Sequence, residues 1–112
     1  MATINLSDMK NIRIIEVIGR LDGDTAPDLG SMMDQALDTG FVRLVLDLGS
    51  VDYISSAGLR EIVRVFKRAQ SQGGDLRIAN PSDPVMSVMQ LAGLDTALNI
   101  YHTRTEAVQS FA

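Results

Sequence analysis

The chain has 112 residues, 46% hydrophobic and only 4% aromatic, a length that predicts one domain over 1–112 rather than two. With no Cys and a single His, disulfides, thiolate metal sites and a His-based zinc site within one chain are excluded, and no metal or cofactor is expected. The formal net charge of −4 lacks the basic footprint that binding nucleic-acid phosphates requires, so nucleic acid is not an expected partner.

The opening Met1-Ala2-Thr3-Ile4-Asn5 has no basic stretch followed by an apolar core, and no apolar run approaches membrane-spanning length. A cytoplasmic protein without membrane insertion is the expectation. Thr3 to Leu6 is expected to pair, through Ser7-Asp8-Met9-Lys10, with a β-branched strand over Asn11 to Val17. Gly19-Arg20-Leu21-Asp22-Gly23-Asp24 breaks that pattern. Thr25 as cap, Pro27 in the first turn and Asp28 against the dipole predict a helix start. Leu29, Met32, Met33, Ala36 and Leu37 supply its apolar face, and Gly40 ends it.

Val42 to Leu48 is apolar at nearly every position, as in a strand covered on both faces. After Ile54-Ser55-Ser56-Ala57-Gly58, the residues Leu59, Ile62, Val63, Phe66 and Ala69 predict the buried face of a second helix, ending at Gln72-Gly73-Gly74. Leu76 to Ala79 predicts a short strand. A third helix begins within Asn80 to Pro84, with Val85, Val88, Met89 and Ala92 inward, and stops at Gly93. Leu98 to Tyr101 predicts a last strand, and Thr103 to Phe111 a helix capped by Thr103 or Thr105. The order β-β-α-β-α-β-α-β-α implies an α/β domain: a mixed, mostly parallel sheet of four or five strands with an antiparallel pair at the start and about four helices.

Few residues can carry catalysis. His102 stands beside Thr103 and Arg104, and Ser55-Ser56-Ala57-Gly58 lacks the Gly-x-Ser-x-Gly elbow, so no nucleophile and base can be paired. The phosphate-binding loop and dinucleotide glycine patterns are absent. The chain does not read as an enzyme. Asp22, Asp24 and Asp28 fit turn and helix-start chemistry, and they are out of register for an EF-hand loop. Arg60, Arg64, Lys67 and Arg68 share one helix face, by default a solvated one. Ser55 and Ser56 sit where a strand gives way to a helix. A serine there can cap the free amides, and the same amides and dipole suit an anion, so either a plain cap or a phosphate acceptor fits.

Asp47-Leu48-Gly49-Ser50-Val51-Asp52-Tyr53-Ile54-Ser55-Ser56-Ala57-Gly58-Leu59 resembles the signature of STAS domains of the anti-sigma factor antagonist type. Gly19-Arg20-Leu21-Asp22 with Thr25-Ala26-Pro27 resembles an earlier block of that family, and Gly73-Gly74-Asp75-Leu76 and Leu91-Ala92-Gly93-Leu94 resemble later landmarks. The resemblance implies that Ser56 is the serine a partner kinase phosphorylates. Ser55 stands where many members carry Asp, and Ala57 where many carry a second Ser or Thr. Asp22 and Asp24 match the loop beside that site. The implied partners are an anti-sigma factor that is itself a serine kinase of the GHKL ATPase type, and a PPM-type phosphatase. The partner surface is expected to include Asp22, Asp24, Ser55, Ala57, Gly58, Arg60 and Arg64, with the two arginines meeting acidic groups on the kinase. A monomer is the expected free state. Two other roles use the same fold: a cytoplasmic accessory subunit of a membrane transporter, including lipid-handling ABC systems, and a scaffold subunit of a stress-signalling assembly. A small-molecule or nucleotide sensor is a further reading, with no motif behind it.

Overall fold

The computed structural model describes residues 2–112. Its elements are β1 (Ala2–Met9), β2 (Ile12–Leu21), α1 (Ala26–Asp38), β3 (Arg43–Ile54), α2 (Ser56–Ser71), β4 (Asp75–Ala79), α3 (Asp83–Leu91), β5 (Asn99–Tyr101) and α4 (Arg104–Gln109), in the expected order. The sheet order is β1-β2-β3-β4-β5. β1 is antiparallel to β2, and every later pair is parallel. Successive parallel crossovers step the same way across the sheet, so right-handed connections put α1, α2 and α3 on one face. There Leu29, Met33, Ile62, Val65, Val85 and Met89 enclose Ile15, Leu44, Leu46 and Ile78 in the main core. On the other face, among the described residues, α4 is the helix that packs, with Ala107 and Val108 against Ile12, Ile14, Val45 and Ala79.

Arg104 fastens that short helix. Its guanidinium lies 2.9 Å from Asp47 Oδ2 and 3.1 Å from Glu16 Oε2, which joins α4 to β3 and β2 at once. Asp47 is nearly buried, and its other oxygen accepts a hydrogen bond from the Gly49 N–H at 3.0 Å. Thr103 caps α4 by accepting from the Glu106 N–H at 3.1 Å.

The two strands that lead to the site run further than the apolar pattern predicts. β2 passes Val17 and reaches Leu21, with register shifts between Glu16 and Ile18 and between Gly19 and Arg20. Gly19 has φ +111°, a left-handed geometry suited to such a bulge. β3 passes Leu48 and reaches Ile54, where it pairs with Leu21. At the N-terminal hairpin the strands also run longer: Met9 pairs with Ile12, leaving Lys10 (φ +56°) and Asn11 as the turn.

Two expectations about side-chain direction are corrected. Ala92 is exposed rather than inward, because α3 ends at Leu91 and the chain has left the core. The buried residues of α2 are Gly58, Ile62, Val65 and Ala69, whereas Leu59 and Val63 are only half-buried. The helix is turned so that its glycine, not its first leucine, meets the sheet.

Candidate functional site

The pairing of Leu21 with Ile54 ends β2 and β3 side by side. The Ser55 N–H then donates to the Leu21 carbonyl at 2.9 Å, which ties the loop after β2 to the start of α2. Gly58 completes the junction. A Cβ at that position would stand 2.9 Å from Leu21 Cγ and 3.0 Å from Ile54 Cγ1, so only glycine lets the helix sit this close without displacing its neighbours.

The two serines have separate positions. Ser55 is the N-cap, in extended geometry (φ −90°, ψ 169°), and its Oγ accepts from the Gly58 N–H at 3.2 Å. Ser56 is the first helical residue and is exposed. Its hydroxyl therefore stands at the positive end of a 16-residue helix, with the first amides and the dipole favouring any negative charge placed there. No acidic residue occupies the first turn of α2.

The neighbouring loop is built by Asp22. Its Oδ1 accepts from the Asp24 and Thr25 N–H groups, both at 3.1 Å, and those backbone donors, Thr25 foremost, hold its carboxyl below the usual range. Thr25 precedes α1 without capping it by its side chain. Its Oγ1 instead donates to the Arg20 carbonyl at 2.7 Å and accepts from the Asp22 N–H at 2.9 Å, so it closes the loop rather than the helix. Asp24 is exposed at the turn. Beside it Arg20 lies over the exposed Tyr53 ring at 4.4 Å, a pair the sequence reading did not single out.

The basic residues of α2 make ion pairs and line a groove. Arg64 is held by Asp34 at 2.8 Å and Glu61 at 2.9 Å, and Arg68 by Asp34 and Asp38. The Asp34 and Asp38 pairs tie α2 to α1, and Arg64 sits in a partly exposed ion-pair ladder. The Arg64 bond foremost, with help from Arg68, holds the Asp34 carboxyl below its ordinary range. Arg60, Arg64 and Lys67 line a groove of about 720 Å³ together with Leu59, Val63, Ala92 and Leu94, and it reaches Ser56. Leu59, half-buried, packs against the main core as expected from its spacing, and with Val63 it also lines this groove beside the exposed serine. Ala57, half-buried, packs against the main core. The site thus unites Asp22, Ser55, Ser56 and Gly58 at one junction and puts Arg60 and Arg64 along its groove, Arg64 also pairing with Asp34 on α1.

The model of the STAS domain family matches residues 3–107, and the chain belongs to that family. BtrV of Bordetella bronchiseptica, named as a candidate anti-sigma factor antagonist, is 32% identical over 93 residues, spanning 83% of this chain and 80% of that protein. The anti-sigma-B factor antagonist of Bacillus subtilis is 27% identical over 97 residues, spanning 87% of this chain and 88% of its own length. Among solved structures, an anti-sigma factor antagonist from Mycobacterium paratuberculosis superposes with a TM-score of 0.89 at 23% identity, covering 98% of this chain and 93% of that one, which supports the fold. Among the described residues no helix is long and apolar enough to cross a membrane.

Proposed function

We propose that the protein is an anti-sigma factor antagonist working by a partner switch with Ser56 as the phosphoacceptor. In the unphosphorylated form it binds an anti-sigma factor that is a serine kinase of the GHKL ATPase type. The kinase transfers the γ-phosphoryl group of ATP to the Ser56 Oγ with ADP as the leaving group, the hydroxyl proton is released to solvent, and the complex separates. A PPM-type phosphatase hydrolyses the phosphoester and restores the serine. The observation that carries this reading is the division of labour at the junction: Ser55 is committed to the cap, while Ser56 is exposed one residue later. The names of the relatives support the antagonist role.

The physical logic is local. A phosphate adds about −1.5 to −2 charges at pH 7, which the start of α2 accommodates without refolding this chain. A partner surface fitted to a neutral hydroxyl, next to the Asp22 and Asp24 loop, meets repulsion and desolvation instead. A loss of about 3 kcal/mol weakens such a complex more than a hundredfold. The test is a paired capture from lysate with Ser56→Ala and Ser56→Asp proteins as baits. A GHKL-type ATPase held by the first and lost from the second supports the switch. The same membrane transporter subunits on both baits would overturn it in favour of an accessory role.

A further inference from the structure

The arginines of α2 are not equivalent. Arg64 and Arg68 are engaged by Asp34, Asp38 and Glu61. Arg60 is exposed and, among the described residues, forms no ion pair. Its place on the helix is set relative to Ser56. Ser56 is the first residue of α2 and Arg60 comes four residues later, so the two share one face with Cβ atoms about 5–6 Å apart. Side chains on a helix lean toward its N-terminus, which carries the Arg60 stem toward Ser56 and away from Arg64. Both residues line the same groove of about 720 Å³.

The other charges around the groove are either distant or already matched. Arg64 stands eight residues from Ser56, about 12 Å along the axis, and Lys67 eleven residues, about 16 Å. Glu61 also lines the groove, and its carboxylate is bound by Arg64 at 2.9 Å. The α3 side contributes Ala92 and Leu94 and no charge. Across the junction stands the loop of Asp22 and Asp24, joined to α2 by the Ser55 N–H on the Leu21 carbonyl. The cation of that loop, Arg20, lies over the Tyr53 ring with Asp22 4.0 Å away. A negative group on Ser56 is therefore repelled from the loop side and meets its nearest free cation in Arg60.

We propose that Arg60 receives the phosphate carried by Ser56: its guanidinium reaches back one turn and holds the phosphate oxygens through charge-assisted N–H donors. The proposal rests on the reading of Ser56 as phosphoacceptor. An anion four residues N-terminal to a cation is the favourable orientation for such a pair, and the guanidinium fork can meet two phosphate oxygens at once. Phosphorylation then alters two features of the groove together. The neutral hydroxyl becomes a phosphate, and the free cation beside it becomes half of an internal pair that no longer faces a partner.

The test uses the full chain made with genetically encoded phosphoserine at Ser56, alone and combined with Arg60→Gln or Lys67→Gln. Phosphorus NMR in low salt follows the second ionisation of the phosphate. The pair holds the dianion, so the midpoint should lie about 0.3 pH unit higher with Arg60→Gln than in the parent, while Lys67→Gln should stay within about 0.1. The difference should shrink in about 1 M salt, where the screening length is about 3 Å. The Arg60 Nε–H resonance of the parent should shift with the same midpoint, and unchanged amides away from the groove show that the variants fold. Equal midpoints in the parent and Arg60→Gln overturn the proposal. So does an equal rise in Lys67→Gln, the mark of a diffuse field rather than a pair, or an Nε–H that ignores the titration. No kinase is needed to install the phosphate, so the two readings fail separately: a flat titration removes the role of Arg60 and leaves the switch standing, whereas a negative lysate capture removes the switch alone.

Discussion

Ser55→Ala and Ser56→Ala remove hydroxyls one residue apart and should have different consequences for stability. Ser55 Oγ is the acceptor for the Gly58 N–H at 3.2 Å, and losing an N-cap of this kind costs about 1 kcal/mol. At about 2.1 cal/mol/K per residue, a chain of 112 residues unfolds with an entropy near 0.24 kcal/mol/K, so Ser55→Ala should lower Tm by about 4 °C. Ser56 is exposed and does not cap the helix, so Ser56→Ala should leave Tm within about 1 °C. Ser56→Glu places a carboxylate in the first turn of α2, where the dipole contributes about 0.3–1 kcal/mol, and Tm should rise by about 1–4 °C. Calorimetry on the four proteins in one low-salt buffer reads all of this. A Ser56→Ala protein that melts as low as Ser55→Ala would refute the assignment of cap and acceptor. So would a Ser56→Glu protein less stable than Ser56→Ala, because the helix start would then not welcome negative charge.

Arg104→Ala should leave the nearly buried Asp47 carboxylate without its cation and lower stability by about 1–3 kcal/mol, read as a reduced urea midpoint with an unchanged slope. Gly74→Ala drives a Cβ to 1.8 Å from the Val42 carbonyl oxygen and should destabilise by about 3 kcal/mol or more, whereas Gly73→Ala meets only left-handed strain (φ +83°) of about 1–2 kcal/mol; thermal melts of the two should rank in that order. Asp34 has a folded-state pKa below its unfolded value, so its contribution is present above the usual carboxylate range and lost as pH falls through the folded pKa. With Asp34 and Arg64 at 28% and 46% exposure, solvent screening limits that contribution to about 1 kcal/mol. Asp34→Asn should therefore lower Tm at pH 7 and by progressively less as pH falls below the usual carboxylate range, and an equal drop at every pH would refute the ion-pair account.

What the sequence hid follows from specific residues. Strong apolar runs such as Leu44 to Leu48 and the helical spacing of Leu29, Met33, Ala36 and Leu37 are legible because burial alone dictates them. The far halves of β2 and β3 are not legible in that way. Gly19 marks a bulge rather than an end, and Gly49 is spared a turn because Asp47 takes its N–H and Asn80 fills its missing side chain. Both glycines are punctuation by composition, and only the partner strand shows that the ladder continues past them. Those hidden rungs carry the site, since without the Leu21 and Ile54 pair the Asp22 loop and the serines would end at different heights on the sheet.

The rotation of α2 has the same origin. Apolar spacing cannot distinguish a helix that buries Leu59 and Val63 from one that buries Gly58 and Val65, because both faces satisfy the 3.6-residue period. Close approach decides it: Gly58 against Leu21 and Ile54 brings the start of α2 onto the sheet, and the helix then leaves Leu59 at the margin of the core and Val63 on the groove with Leu94. Gly58→Ala therefore tests more than packing. It should push the first turn outward, weaken the Ser55 cap that the same residue's N–H supplies, and bury part of the groove that adjoins Ser56. If the switch reads this surface, Gly58→Ala should lower both stability and partner affinity, whereas Val63→Ser, on the groove floor away from the sheet, should lower affinity with Tm nearly unchanged. Equal loss of affinity and stability in Val63→Ser would place that residue back in the core and remove the groove from the partner surface.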